Sequence, residues 1–125
     1  MARKTRFPKR GCVYLVRFDP ALGREIRKTR PAVVVSNDHM NELADTVLVM
    51  PITGGEFSYY HWIPIKPPEG GVLKPSSIVT EQIRSLDKNR LTRFLGEINP
   101  ATIEKIETAI RDHFGLPEGD VLPID

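Results

Sequence analysis

Apolar residues in this chain fall in short runs separated by polar stretches rich in glycine and proline, a pattern that predicts strands joined by turns. Strands are expected over 12–18 (CVYLVRF), 31–36 (PAVVVS), 46–53 (TVLVMPIT), 61–65 (HWIPI), 76–84 (SSIVTEQIR) and 93–98 (RFLGEI). PAVVVS and TVLVMPIT are apolar and β-branched at successive positions instead of alternating, so both faces of these strands should be buried at the centre of the fold.

The connections differ in character. Segment 19–30 (DPALGREIRKTR) mixes proline, glycine and charge and reads as a long flexible loop, and 37–45 (NDHMNELAD) reads as a polar turn. Segment 54–60 (GGEFSYY) is a glycine-hinged loop. The three prolines and two glycines of 66–75 (KPPEGGVLKP) rule out regular structure there, and a single helical turn is expected around DKNRL.

One long helix is expected at the end of the chain. Asn99 stands as N-cap, Pro100 follows at the first position, and Gly115 lies beyond the end. Ile103, Ile106, Ala109, Ile110 and Phe114 recur at three and four, so one face should pack on the sheet. Six short strands and one helix make a mainly β fold with a C-terminal helix, in a small, partly open barrel.

Composition sets the frame. A chain of 125 residues, 40% hydrophobic and 27% charged, is of ordinary single-domain size and too apolar for disorder. One cysteine, Cys12, allows no intrachain disulfide; with no signal-like or membrane-spanning run, a cytoplasmic location is expected. The net charge of +2 hides an asymmetry: residues 1–96 hold 16 Lys or Arg against 9 Asp or Glu, whereas 97–125 hold 2 against 7. Thirteen of the eighteen cations lie in 3–10, 24–30 and 84–93. Brought together they would attract an acidic polymer; left apart they merely solvate loops. Residues 1–11 read as a mobile basic arm, 12–116 as the domain, and 117–125 as an acidic tail.

Chemical motifs are sparse. His39, His61 and His113 share no metal-ligand spacing, and no phosphate-binding glycine loop or nucleophile elbow is present, so neither a metal nor another cofactor is expected. What remains is a set of polar residues at strand ends: Arg30 before PAVVVS, Thr53 closing LVMPIT, and Glu81 and Gln82 interrupting SSIVTEQIR. Each has an ordinary structural reading as well, since threonines often end strands and an arginine can fork onto a carboxylate.

On these residues, and in this order, the chain resembles the MazF/PemK toxin family. RGCVYLVRFDPALGREIRKTRPAVVVSND, TVLVMPIT and SSIVTEQIRSLDKNRLTRFLGEINP follow that family's motifs over about 110 of the 125 residues. The resemblance implies an SH3-like or plasmid-toxin-type β-barrel, a homodimer, cleavage of single-stranded RNA, and restraint by a cognate antitoxin protein, with no membrane involvement. It places Arg30, Thr53 and Glu25 at catalytic positions and Gln82, Glu81, Lys28 and Arg84 at substrate-binding ones. Cys12 departs from the aspartate that relatives usually carry after Arg-Gly, a change expected to alter packing or a local hydrogen bond rather than activity.

Within that reading, Arg30 suits charge stabilisation, because its planar fork can bind two phosphate oxygens. Glu25 could accept the 2′-hydroxyl proton, and Thr53 and Gln82 could position a phosphate oxygen. Phe57, Tyr59, Tyr60 and Trp62 offer surfaces on which bases could stack, although aromatics beside a strand also serve cores and interfaces. The alternative is a non-catalytic module on the same fold, gripping nucleic acid or DNA gyrase.

Overall fold

The computed structural model describes residues 7–18 and 28–117. Seven antiparallel strands lie within them: β1 Cys12–Arg17, β2 Thr29–Val34, β3 Thr46–Gly54, β4 Ile63–Ile65, β5 Ser76–Ile78, β6 Arg84–Asp87 and β7 Leu91–Glu97. The order is β4-β5-β3-β2-β1-β7, with β6 also paired to β3. Among the described residues no pairing joins β6 to β7, so the sheet curls without closing.

Both faces of the central strands are buried, as their unbroken apolar runs require. Val16, Phe18, Ala32, Val34, Val47, Val49 and Leu86 fill the inside of the curl. Val13, Val33, Met50 and Ile52 face the other way, against Ile63, Ile65, Ile78 and Ile106. The last of these belongs to α2 (Pro100–His113), which covers that outer layer. No helix among the described residues is long and apolar enough to cross a membrane.

The seventh strand arises because SSIVTEQIR is not one strand. Pro51 has no N–H, and its carbonyl accepts from Val79 N–H at 2.8 Å, so the missing donor lies on the same side of β3. There the neighbouring strand breaks into a 3₁₀ turn, Thr80–Gln82, before resuming as β6 with Arg84 opposite Val49. Thr80, fully buried, gives its hydroxyl proton to the His61 carbonyl at 2.9 Å.

Other elements depart from the expected bounds. Residues 38–43 form α1 (Asp38–Leu43), with Asn37 accepting from Met40 N–H at 2.8 Å and buried Asn41 bonded to Ser36. One and a half turns are too short to show a helical period. His61 has φ +58°, so the chain turns there and β4 begins only at Ile63. At α2, Asn99 holds the N-cap position without a side-chain cap bond. Glu69, from the 66–75 segment, does that work: its Oε2 accepts from Asn99 N–H at 2.9 Å and from Thr102 Oγ1 at 2.5 Å. Phe114, expected on the packed face, is 62% exposed.

The 66–75 segment crosses β7 at close range. A Cβ on Gly71, whose φ is +74°, would sit 2.1 Å from the Leu95 carbonyl oxygen, so only glycine fits there. Of the expected basic arm, residues 1–6 lie outside the described residues. Arg10 is fastened: its backbone N–H donates to Asp38 at 2.8 Å and its guanidinium to Glu107 at 2.9 Å.

Candidate active site

Strand pairing brings most of the expected site residues to one end of the curled sheet. Arg30 is paired with Val16 across β1. The β2–β3 register runs Val34↔Val49, Val33↔Met50 and Ala32↔Pro51, and continued by two residues it sets Arg30 level with Thr53. Because side chains alternate, Arg30 shares a face with Ala32 and Val34, and Thr53 shares that face with Val49 and Pro51. Arg84, opposite Val49, belongs to the same side, and its guanidinium lies 5.6 Å from the Phe18 ring centroid. The Phe18 N–H donates to the Lys28 carbonyl at 2.8 Å, which draws Lys28 to this end as well.

Of these residues Arg30 borders a cavity of about 680 Å³, walled also by Leu15, Ile52, Leu73 and Phe94 together with Lys74 and Arg93. Three cations and no carboxylate line it. Thr53 is not among its wall residues: Ile52 and Gly54 on either side of it are, and alternation along β3 turns Thr53 to the opposite face. The Lys74 side chain passes so close to Gly54 that a Cβ there would meet Lys74 Cε at 2.6 Å, so the glycine after Thr53 makes room for a charge. A larger cavity of about 940 Å³ lies elsewhere and is walled by Glu56, Glu69 and Glu97 with Lys66 as its only cation, a lining that repels phosphate. Charge, not size, selects the candidate site. Arg84 Nη1, moreover, is buried and has no hydrogen-bond partner among the described residues. Such a donor is costly unless an acceptor reaches it.

Glu81 and Gln82 part company. Both belong to the 3₁₀ turn beside Pro51, and Gln82 is half-buried, but Glu81 is tied to an aromatic cluster, accepting from Trp62 Nε1 at 2.8 Å. In that cluster Tyr59 and Trp62 have ring centroids 4.6 Å apart, and Phe57 stacks on Tyr59 at 5.9 Å. Phe57, Tyr59 and Tyr60 are exposed, so they are not core residues. Glu25 lies outside the described residues. Cys12 is buried, 2% exposed, at the start of β1, in keeping with a packing role.

Comparison with known proteins fixes the family. Residues 9–114 match the family described as PemK-like, MazF-like toxin of type II toxin-antitoxin system. The chain belongs to that family. Among MazF/PemK relatives it is 36% identical to the endoribonuclease MazF of Staphylococcus saprophyticus over 110 residues, covering 86% of this chain and 92% of the relative. It is 32% identical to the endoribonuclease MazF9 of Mycobacterium tuberculosis, with 86% and 97% covered. The fold agrees with a crystal structure of MazF from Deinococcus radiodurans, at a TM-score of 0.78 and 23% identity, over 90% of this chain and all of that one. A mycobacterial endoribonuclease solved in complex with its cognate antitoxin is 27% identical with a TM-score of 0.72, covering 92% and 100%.

Against this MazF/PemK frame, sequence reasoning missed Lys74 and Arg93 as site residues. Arg93 was visible only as part of a basic segment. Lys74 sits in the irregular 66–75 stretch, and its one sequence signal is Gly54, the small residue it lies across.

Proposed function

We propose that this chain is an endoribonuclease toxin that cuts single-stranded RNA at short sequence motifs, without a metal ion, by attack of the substrate's own 2′-hydroxyl. The observation that carries the reading is the cavity lined by Arg30, Lys74 and Arg93 without a carboxylate. Three cations can seat a phosphodiester and its neighbours.

In the reaction the 2′-oxygen bonds to phosphorus, the bond to the 5′-oxygen breaks, and a cyclic phosphate and a 5′-hydroxyl result. Arg30 neutralises charge as it builds on the phosphate oxygens, and as an arginine it keeps its own proton while doing so. Thr53 and Gln82 donate neutral hydrogen bonds that hold the phosphate, while Lys28 and Arg84 take flanking phosphates. In this scheme Glu25 accepts the 2′-hydroxyl proton, and water protonates the departing 5′-oxygen. The protein acts as a cytoplasmic homodimer, and an antitoxin occupies the basic site, attracted by the excess of cations in residues 1–96.

Incubation with a long single-stranded RNA in EDTA tests the proposal, with Arg30→Ala beside the native chain. Cuts at one short motif, ending in cyclic phosphate and reduced roughly 10²–10³-fold in the variant, are expected from the loss of one charge-stabilising group. Intact RNA in both samples would refute the nuclease, and equal cutting in both would refute the role of Arg30.

A further inference from the structure

A third pocket, of about 460 Å³, is walled by Tyr59, Tyr60, Trp62, Glu81 and His113. It is assembled from three separate elements. The Tyr60 hydroxyl donates to Asp112, and His61 Nε2 lies 2.5 Å from the same carboxylate, so the aromatic loop is fastened to the end of α2. Thr80 donates to the His61 carbonyl and therefore accepts from His113 Nε2–H at 2.9 Å, which joins the 3₁₀ turn to both. Trp62 then fixes Glu81 through Oε1, leaving Oε2 without a partner among the described residues.

We propose that this pocket reads the identity of one RNA base, favouring a base with an exocyclic amine, through Glu81 beside the rings of Tyr59 and Trp62. The inference rests on the RNA-cleaving function above and adds to it a determinant of sequence. A carboxylate only accepts hydrogen bonds and repels phosphate, so on an RNA-binding surface its natural partner is a donor on a base edge. The rings supply stacking, and the carboxylate held against the indole meets the edge of the stacked base. Cytosine presents its amine there, whereas uracil of nearly the same shape presents a carbonyl oxygen. The pocket is within reach of the same strand: Glu81 is two residues from Val79, Val79 is bonded to Pro51, and Pro51 is two residues from Thr53.

Trp62 is the only tryptophan of the chain and walls this pocket as well as the acidic cavity, so its fluorescence is read beside that of Glu81→Gln, which alters this pocket and not the acidic one. The full chain is titrated with cytidine, with uridine, and with acetyl-arginine amide, which asks whether the pocket takes a cationic side chain instead. Saturable change at roughly tenfold lower cytidine than uridine is expected from one good base-edge contact. Glu81→Gln keeps an oxygen for Trp62 but turns the other arm into a donor, and should shift the preference toward uridine. Equal response to both nucleosides, an unchanged ranking in Glu81→Gln, or a response only to acetyl-arginine amide would each overturn the proposal. RNA cutting by the same preparation is scored separately, so that a nuclease with an indifferent pocket is told apart from a selective pocket without a nuclease.

Discussion

Single residues differ in how openly the sequence announced them. Arg30, Thr53 and Gln82 stood at the ends of apolar runs, and strand register gathers the first two, because a pleated strand fixes the level and face of every side chain once pairing is known. Glu81 stood in the same motif yet turns to Trp62, 19 residues back, a choice set by a turn that only pairing geometry reveals. The contact of Tyr60 and His61 with Asp112 spans about fifty residues and left no trace in local pattern. That contact has a defined pH range. The hydroxyl of Tyr60, and after it the ring of His61, hold the Asp112 carboxyl below its ordinary 3.8. Its contribution is therefore complete above that value and lost as pH falls through the lowered one. Tyr60, held above 10.0 chiefly by the hydrogen bond to Asp112, contributes below that value and loses the bond as pH rises through the raised one. Trp62 emission should thus change as pH falls through the lowered value and as it rises through the raised one, and Asp112→Asn should reduce the acid change. An acid change identical in Asp112→Asn would show that the carboxylate does not fasten the loop.

Elements were legible where periodicity was long and obscure where they were short. The terminal helix and the two central strands follow directly from their patterns, whereas α1 is too brief to declare a period. The broken strand after Ile78 is explained by Pro51, a residue in another strand, so a reading confined to one segment at a time could not find it. Helix capping shows the same limit. Asn99 has the side chain expected at a helix start, yet a carboxylate thirty residues earlier takes the donors. Glu69→Ala should cost about 1 kcal/mol, the usual value of a cap, and lower the melting temperature by a few degrees for a domain of this size. Asn99→Ala should cost much less. Thermal unfolding of the two variants decides between the caps; a larger loss at Asn99 would reverse the assignment.

At the level of the whole molecule, the charge asymmetry seen in the sequence becomes a surface with distinct neighbourhoods. One cavity is cationic, a larger one is acidic, and a third is aromatic with a single carboxylate. Composition could announce an acidic ligand but not which hollow receives it, because Lys74 and Arg93 reach the site only through folding. If Arg30, Lys74 and Arg93, with Lys28 and Arg84 on the flanks, each meet a phosphate, the logarithm of RNA affinity should fall with the logarithm of salt with a slope of about −3.5, at roughly 0.7 for each contact on a single strand. Binding to a 2′-deoxy analogue, which lacks the attacking hydroxyl, measures this without cleavage. Arg93→Ala should flatten the slope by about 0.7, and an unchanged slope would remove that residue from the footprint.

The last helix fastens two distant parts of the chain, Glu69 at its beginning and Tyr60 with His61 at its end. During synthesis both parts emerge from the ribosome well before the helix that secures them. The aromatic pocket and the segment carrying Lys74 are secured only after residue 113 is free, so a growing chain holds both without these fastenings until the helix has formed.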